Sequence, residues 1–281
     1  MQTDNDTICL DMLKETDKDR YLATLLAPQE AQPDLVALYA FNAELARVRD
    51  LVREPLPGEV RLQYWRDLLE GKDHGETVAN PVASALVAAI RRHNLPRAPL
   101  VAMVDARTFD LYDDPMEDRA MFEGYAGETA SALIQLASLV LDPAAAAGSA
   151  SVAGHAGVAQ AVAGAVLLMP QHRARGQVFV PLEILRAIGL DRESFLAGED
   201  RNRISAAVEA FCGLGLDHLA KARASGLIAK PLVPSYLTAT LAGPVLAAAR
   251  RLGAGVFDRD IRPAQWRRQW QMLRLGLTRR L

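Results

Sequence analysis

Cysteine is scarce in this sequence: two in 281 residues, Cys9 and Cys212, far apart and each alone. That excludes a disulfide framework and a cysteine-based zinc motif. Two free thiols buried in a reducing compartment are expected instead. An excess of one charge is missing too. The formal net charge is −2, so no global field draws the chain to nucleic acid, and no nucleic-acid partner is expected. Alternating Val/Ile/Thr runs and Asn-Gly hairpin turns are absent, which excludes a sheet protein. There is no Gly-rich phosphate loop, no defensible Ser-His-Asp order and no His/Cys metal spacing. The first residues lack the basic start of a secretory signal and the arginines of a transit peptide. Asp4, Asp6, Asp11, Glu15, Asp17 and Asp19 stand there against Lys14 and Lys18. The most apolar stretch, 157–170, reads as too short to span a bilayer. A soluble chain that stays where it is made is expected.

What is present is alanine and helical punctuation. Half the residues are apolar and 23% are charged, so the chain can bury a core and is not disordered. Proline and glycine divide it into helical blocks at about 8–27, 33–53, 58–71, 81–93, 97–112, 117–141, 149–169, 181–188, 192–197, 203–225, 231–252 and 263–280. Asn80-Pro81 has the form of an N-cap followed by proline at the first helical position, and Pro263 opens the last block similarly. There is no repeat and no linker. The expectation is one all-α domain over 1–281.

The stretch 39–52, "YAFNAELARVRDLV", reads as one helix. Its apolar positions are Phe41, Leu45, Val48 and Val52, and Glu44, Arg47 and Arg49 lie on the polar face. A helix led by aromatics and closing on Asp50 is either half of a metal site or an ordinary core helix. A later block, "SVAGHAGVAQAVAGAVLLMP", is made of small residues that permit close helix approach or leave room for a long apolar ligand. His155 and Gln160 are its strongly polar side chains. A lone histidine there is expected to be hydrogen-bonded structure rather than a ligand.

The series "RYLATLLAP", "LVALYAFNAELARVRD", "RLQYWRDLLEG", "NPVASALVAAIRRHNLP", "FEGYAGETASALIQLA" and "AGVAQAVAGAVLLMPQHRARGQVFVPLEIL" resembles the squalene/phytoene synthase family from about residue 18 to 225. The resemblance implies an isoprenoid-synthase-type helical bundle with a central cavity for prenyl chains. It also implies two aspartate-rich motifs, each with acids four residues apart. Such carboxylates would hold Mg²⁺ against a leaving pyrophosphate. Matched to that pattern, the first motif falls on Asn42, Ala46 and Asp50, of which only Asp50 is an acid. The second falls on the region of Gln160, Leu168, Gln171 and His172. No Asp or Glu occurs from 154 to 182. The departures resemble one branch of the family, which holds a mitochondrial complex I assembly factor and its bacterial relatives. That branch implies a pseudoenzyme without cofactor that assists assembly of the respiratory NADH dehydrogenase. Complex I subunits or other assembly factors would be its partners, with a lipid or isoprenoid ligand. It would be cytoplasmic, or peripheral at the inner membrane (the matrix side in a mitochondrion). The competing expectation is an active prenyltransferase that joins two prenyl diphosphates and needs Mg²⁺.

Other clusters weigh both ways. Asp105, Asp110, Asp113, Asp114, Glu117 and Asp118 form a dense acidic run, either a cation site or a solvated helix–turn–helix. His172, Arg173 and Arg175 form either an anion-binding loop or a solvated one. Tyr64 and Trp65, beside Arg61 and Arg66, read as core packing. In the last block Trp266, Trp270, Leu273, Leu277 and Leu281 share one face, and Arg267, Arg268, Arg274, Arg279 and Arg280 lie on others. Such a helix suits a membrane interface or a partner groove, or it docks on its own domain.

Overall fold

The computed structural model describes residues 2–72 and 79–281, and no strand occurs among the described residues. The helices are α1 (Gln2–Thr16), α2 (Lys18–Leu25), α3 (Gln32–Leu51), α4 (Pro55–Glu70), α5 (Pro81–His93), α6 (Arg97–Ala106), α7 (Arg119–Ala126) and α8 (Ala132–Leu141). They continue with α9 (Pro143–Ala147), α10 (Ala150–Leu167), α11 (Met169–Ala174), α12 (Leu182–Ala187), α13 (Arg192–Ala197), α14 (Arg201–Ala224), α15 (Val233–Tyr236), α16 (Ala242–Leu252) and α17 (Gln265–Thr278).

The boundaries follow local chemistry. Asn80 accepts hydrogen bonds from the Val82 and Ala83 amides at 3.0 and 3.1 Å, with Pro81 next in line, so α5 starts where the sequence places it. The expected block 8–27 is instead two helices. Asp17 caps the second by accepting from the Arg20 amide at 3.0 Å. The expected block 117–141 contains a π-helical turn, Gly127–Ser131, between α7 and α8. In block 149–169, α10 stops at Leu167 and Pro170 sits in the first turn of α11.

The helices gather into two compact units that alternate along the chain. The first is drawn from Met1–Tyr112, Ala132–Ala150 and Ala229–Leu237. Its central element is α3, where Leu35 to Ala43 are all buried. A helix enclosed on every side needs apolar residues all round rather than one stripe, and "LVALYAFNA" supplies them. Phe41 meets Trp65 of α4 edge-on, ring centroids 5.1 Å apart. Asp34 is buried in this unit and bonded by Arg92 Nη1 at 2.5 Å and His93 Nε2 at 2.8 Å. The Ser138 and Ser235 hydroxyls, 2.9 Å apart, tie α8 to α15.

The second unit is drawn from Asp113–Ser131, Ser151–Ile228 and Thr238–Leu281. Here α14 is the long spine, packed on α16. Phe122 meets Phe211 edge-on at 5.0 Å. The small residues of α10 serve close packing. Ser131 Oγ donates to the Gly154 carbonyl at 2.9 Å. A methyl group on Gly157 would fall well under 3.0 Å from Ser131 Oγ, Cα and N, so only glycine fits there. By length and composition Ala150–Leu167, a longer window that overlaps 157–170, could cross a membrane. Half of that window is buried in the protein, as in the core helix of a folded unit.

Candidate functional site

In the first unit, Asn42, Ala46 and Asp50 follow one another at four-residue intervals along α3, so they form one stripe. Asn42 is buried, while Ala46 and Asp50 are exposed. The side chains are one amide, one methyl and one carboxylate, and that set does not fit Mg²⁺, which asks for several hard oxygens in octahedral order. Arg49, one residue away, turns its Nη1 to the Val52 and Arg53 carbonyls at 3.5 and 3.3 Å, capping the end of the helix.

In the second unit, Gln160, Leu168, Gln171 and His172 lie on α10, at the break that follows it, and on α11. None carries a carboxylate. Gln160 Oε1 is buried and takes no hydrogen bond. The His172 ring lies against Phe179 with centroids 4.4 Å apart, and the His172 carbonyl accepts from the Gln177 amide at 2.9 Å. His172 and Gln177 border a void of only about 10 Å³. Arg173 donates to the Leu196 and Ala197 carbonyls, both at 2.7 Å, closing the C-terminus of α13, and its guanidinium lies 4.8 Å from the Phe257 ring centroid. Of the three residues read as a possible anion loop, Arg173 is thus held inside the fold, while Arg175 is exposed. Among the described residues, no group of three or more His, Cys, Asp or Glu side chains is placed to hold a metal ion.

The acidic run also separates into individual contacts. Asp105 pairs with Arg66, Asp110 accepts from Arg107 at 2.9 Å, and Asp118 caps α7 through the Met121 amide at 2.8 Å. Glu117 accepts from Arg186 at 3.0 Å. Because α6 stops at Ala106 and only a 3-10 turn follows to Leu111, Asp110 and Asp114 are not a helical i, i+4 pair.

His155 is not alone. Its Nδ1 lies 3.1 Å from His218 Nδ1, and His218 Nε2 lies 3.3 Å from Glu123 Oε1. Burial, then His218 and Lys221 nearby, hold the His155 pKa below its usual value. Nothing in the sequence links His155 on α10 to His218 on α14. Cys9 and Cys212 are fully buried, and burial pushes their thiols up to about 11 and about 12.

The last helix departs most from expectation. At 100° per residue it has two apolar faces. Met272 and Leu275 are buried against its own unit. Trp266, Trp270, Leu273 and Leu277 form the opposite stripe and are 65, 58, 48 and 75% exposed. Leu281, assigned to that outer stripe from the sequence, is buried instead. The chain leaves the helix at Arg279 (φ 56°) and turns Leu281 inward. Between α16 and α17 lies a groove of about 610 Å³. Its floor includes Leu241, Pro244 and Ala248, and Arg251, Arg262 and Arg267 stand along it.

A model of the squalene/phytoene synthase family matches residues 13–274. The rat protein named NADH dehydrogenase (ubiquinone) complex I, assembly factor 6 is 36% identical over 205 residues, 71% of this chain and 60% of that protein. The chain thus spans about 60% of the length of the curated relatives it matches first. Among solved structures, a dehydrosqualene synthase in complex with a ligand superposes with TM-score 0.82 at 18% identity, covering 98% of this chain and 96% of that one. The squalene synthase HpnC from Alicyclobacillus acidocaldarius gives 0.74 at 17%, covering 90% and 95%. The all-α isoprenoid-synthase-type fold implied by the sequence is the fold found.

Proposed function

This chain belongs to the squalene/phytoene synthase family, and from that premise we propose that it is a member that has given up prenyl condensation and assists assembly of the respiratory NADH dehydrogenase. The observation that carries the first half is the stretch 154–182, without a single Asp or Glu. Ionising a prenyl diphosphate requires the departing pyrophosphate to be neutralised, and metal ions on several carboxylates supply several kcal/mol of that stabilisation. One exposed carboxylate, Asp50, does not replace them. The second half is supported by the names of relatives such as the rat and human proteins, both complex I assembly factor 6. Its partners are then subunits of that dehydrogenase or other assembly factors. No resident cofactor is needed, and the place of action is the cytoplasmic side of the membrane that holds the complex.

Two experiments test this. Purified full chain is given farnesyl or geranylgeranyl diphosphate with Mg²⁺, and pyrophosphate release is followed. No release above the enzyme-free control is expected. Release that a chelator abolishes would overturn the reading in favour of a Mg²⁺-dependent prenyltransferase. In a deletion strain, membrane NADH dehydrogenase activity should fall, and both the native chain and Asp50→Ala should restore it. A folded Asp50→Ala that fails to restore would overturn the reading that this carboxylate is dispensable.

A further inference from the structure

The outer stripe of α17 has no place in that reading, and neither does the groove beside it. Four large apolar side chains, two of them tryptophans, face outward on a helix whose other face is already docked. The docking is firm at the C-terminal end. The Ile228 amide donates to the Arg279 carbonyl at 2.9 Å, and Arg223 Nε donates to the Leu281 carbonyl at 2.8 Å. The stripe is therefore not the loose inner face of a helix that failed to pack. Large solvent-facing apolar patches of this kind mark surfaces that meet something else.

The charges around it say what that is. α17 contains no acidic residue, and Arg267 and Arg274 flank the stripe on one side. Arg251 and Arg262 add positive charge along the groove, whose one acid is Asp260. The Asp260 carboxylate already accepts from the Arg262 amide at 2.8 Å. A second copy of the chain, meeting this face about a two-fold axis, would bring arginine against arginine. An anionic bilayer surface satisfies every element. Tryptophans sit at the headgroup level, leucines enter the acyl boundary, and guanidiniums meet lipid phosphate. The groove, floored by apolar side chains, has the size of a small-molecule site.

We propose that the Trp266/Trp270/Leu273/Leu277 stripe docks this chain on anionic phospholipid membranes. Arg251, Arg262 and Arg267 take up a lipid phosphate at the mouth of the α16–α17 groove. The helix lies in the plane of the interface and does not cross it. This inference stands whether or not the chain serves the respiratory complex.

The test uses the full chain with vesicles of phosphatidylcholine alone or with added phosphatidylglycerol. Co-flotation with the anionic vesicles is expected. It should come with a blue shift of tryptophan emission and quenching by brominated acyl chains. Trp65 is buried, so the signal comes from the two stripe tryptophans. Trp270→Ala combined with Leu277→Glu should weaken binding by about tenfold or more, with unchanged circular dichroism. Arg251→Ala with Arg267→Ala should weaken it and flatten its salt dependence. Absence of flotation, or flotation without quenching in the unmodified chain, would overturn the proposal without recourse to any variant. So would equal binding to neutral vesicles. A blue shift that appears without lipid and tracks dimer formation in sedimentation would overturn it in favour of self-association. Binding of free inorganic phosphate at the groove with no vesicle binding would do so in favour of a soluble anion.

Discussion

Gly157 offers a direct test of how the second unit is held together. The perturbation is Gly157→Ala, one methyl group, with Gly164→Ala on the same helix as its control. The helical preference for alanine, about 1 kcal/mol, is common to both and cancels in the comparison. At Gly164 nothing lies within 4 Å of the new methyl, so that variant should gain roughly 0.4–1 kcal/mol. At Gly157 the methyl meets Ser131, and two of the three atoms it overlaps, Cα and N, are backbone. They cannot turn away as a side chain can, so α10 and the π turn must separate. Overpacking of this kind costs about 1–3 kcal/mol. The Ser131–Gly154 hydrogen bond that separation breaks adds about 1 kcal/mol. The two variants should therefore differ by about 2–4 kcal/mol, which for a chain of this size is roughly 4–16 °C in Tm. Thermal unfolding by circular dichroism reads it. Ser131→Ala should not rescue Gly157→Ala, because the backbone atoms remain. Equal Tm values for the two glycine variants would refute the close approach, and with it the packing role of the small residues.

Asp34 is 3% exposed between Arg92 and His93. Asp34→Ala should cost about 2 kcal/mol in urea denaturation, less than a fully enclosed pair because Arg92 can return to water; no measurable change would refute the pairing. His155 has a pKa held below its ordinary value. As pH falls below that ordinary value the unfolded chain takes up the proton first. Stability is therefore complete above it and declines through the acid side; titration of Tm in His155→Gln should show a shallower decline, and an unchanged slope would refute the assignment. Cys9 and Cys212, both 0% exposed with raised pKa, should resist iodoacetamide in the native chain and react after denaturation; prompt native labelling at either site would refute that burial.

Much of this molecule is legible in its sequence, for identifiable reasons. α5 is found at its true start because Asn80 and Pro81 act locally, through atoms a few residues apart. The loss of carboxylates from 154 to 182 is legible without any coordinates, since absence of a residue type does not depend on register. Tertiary effects are where sequence reasoning stops. The pairing of His155 with His218 joins residues 63 positions apart. The choice of Met272 and Leu275 as the inner face of α17 is set by what lies beneath them. The tryptophan stripe has the stronger apolar signal, and periodicity alone leaves open whether that face or the other one docks. Arg173 looks like a free cation in a basic loop, until the end of α13 is seen to need two donors.

The alternation of the two units along the chain constrains how the protein can be made. The first unit includes Ala132–Ala150 and Ala229–Leu237, and the second supplies the chain between them. A ribosome that has finished α6 has not finished the first unit. Ser138 must wait for Ser235, and α8 stays without α15 until Leu237 emerges. Closing contacts so distant in sequence is slow relative to local helix formation. Apolar helices therefore stand incomplete during synthesis, at the stage when chains are most exposed to aggregation and to chaperones. A cut at Tyr112 leaves the first unit incomplete, because Ala132–Ala150 and Ala229–Leu237 lie beyond it.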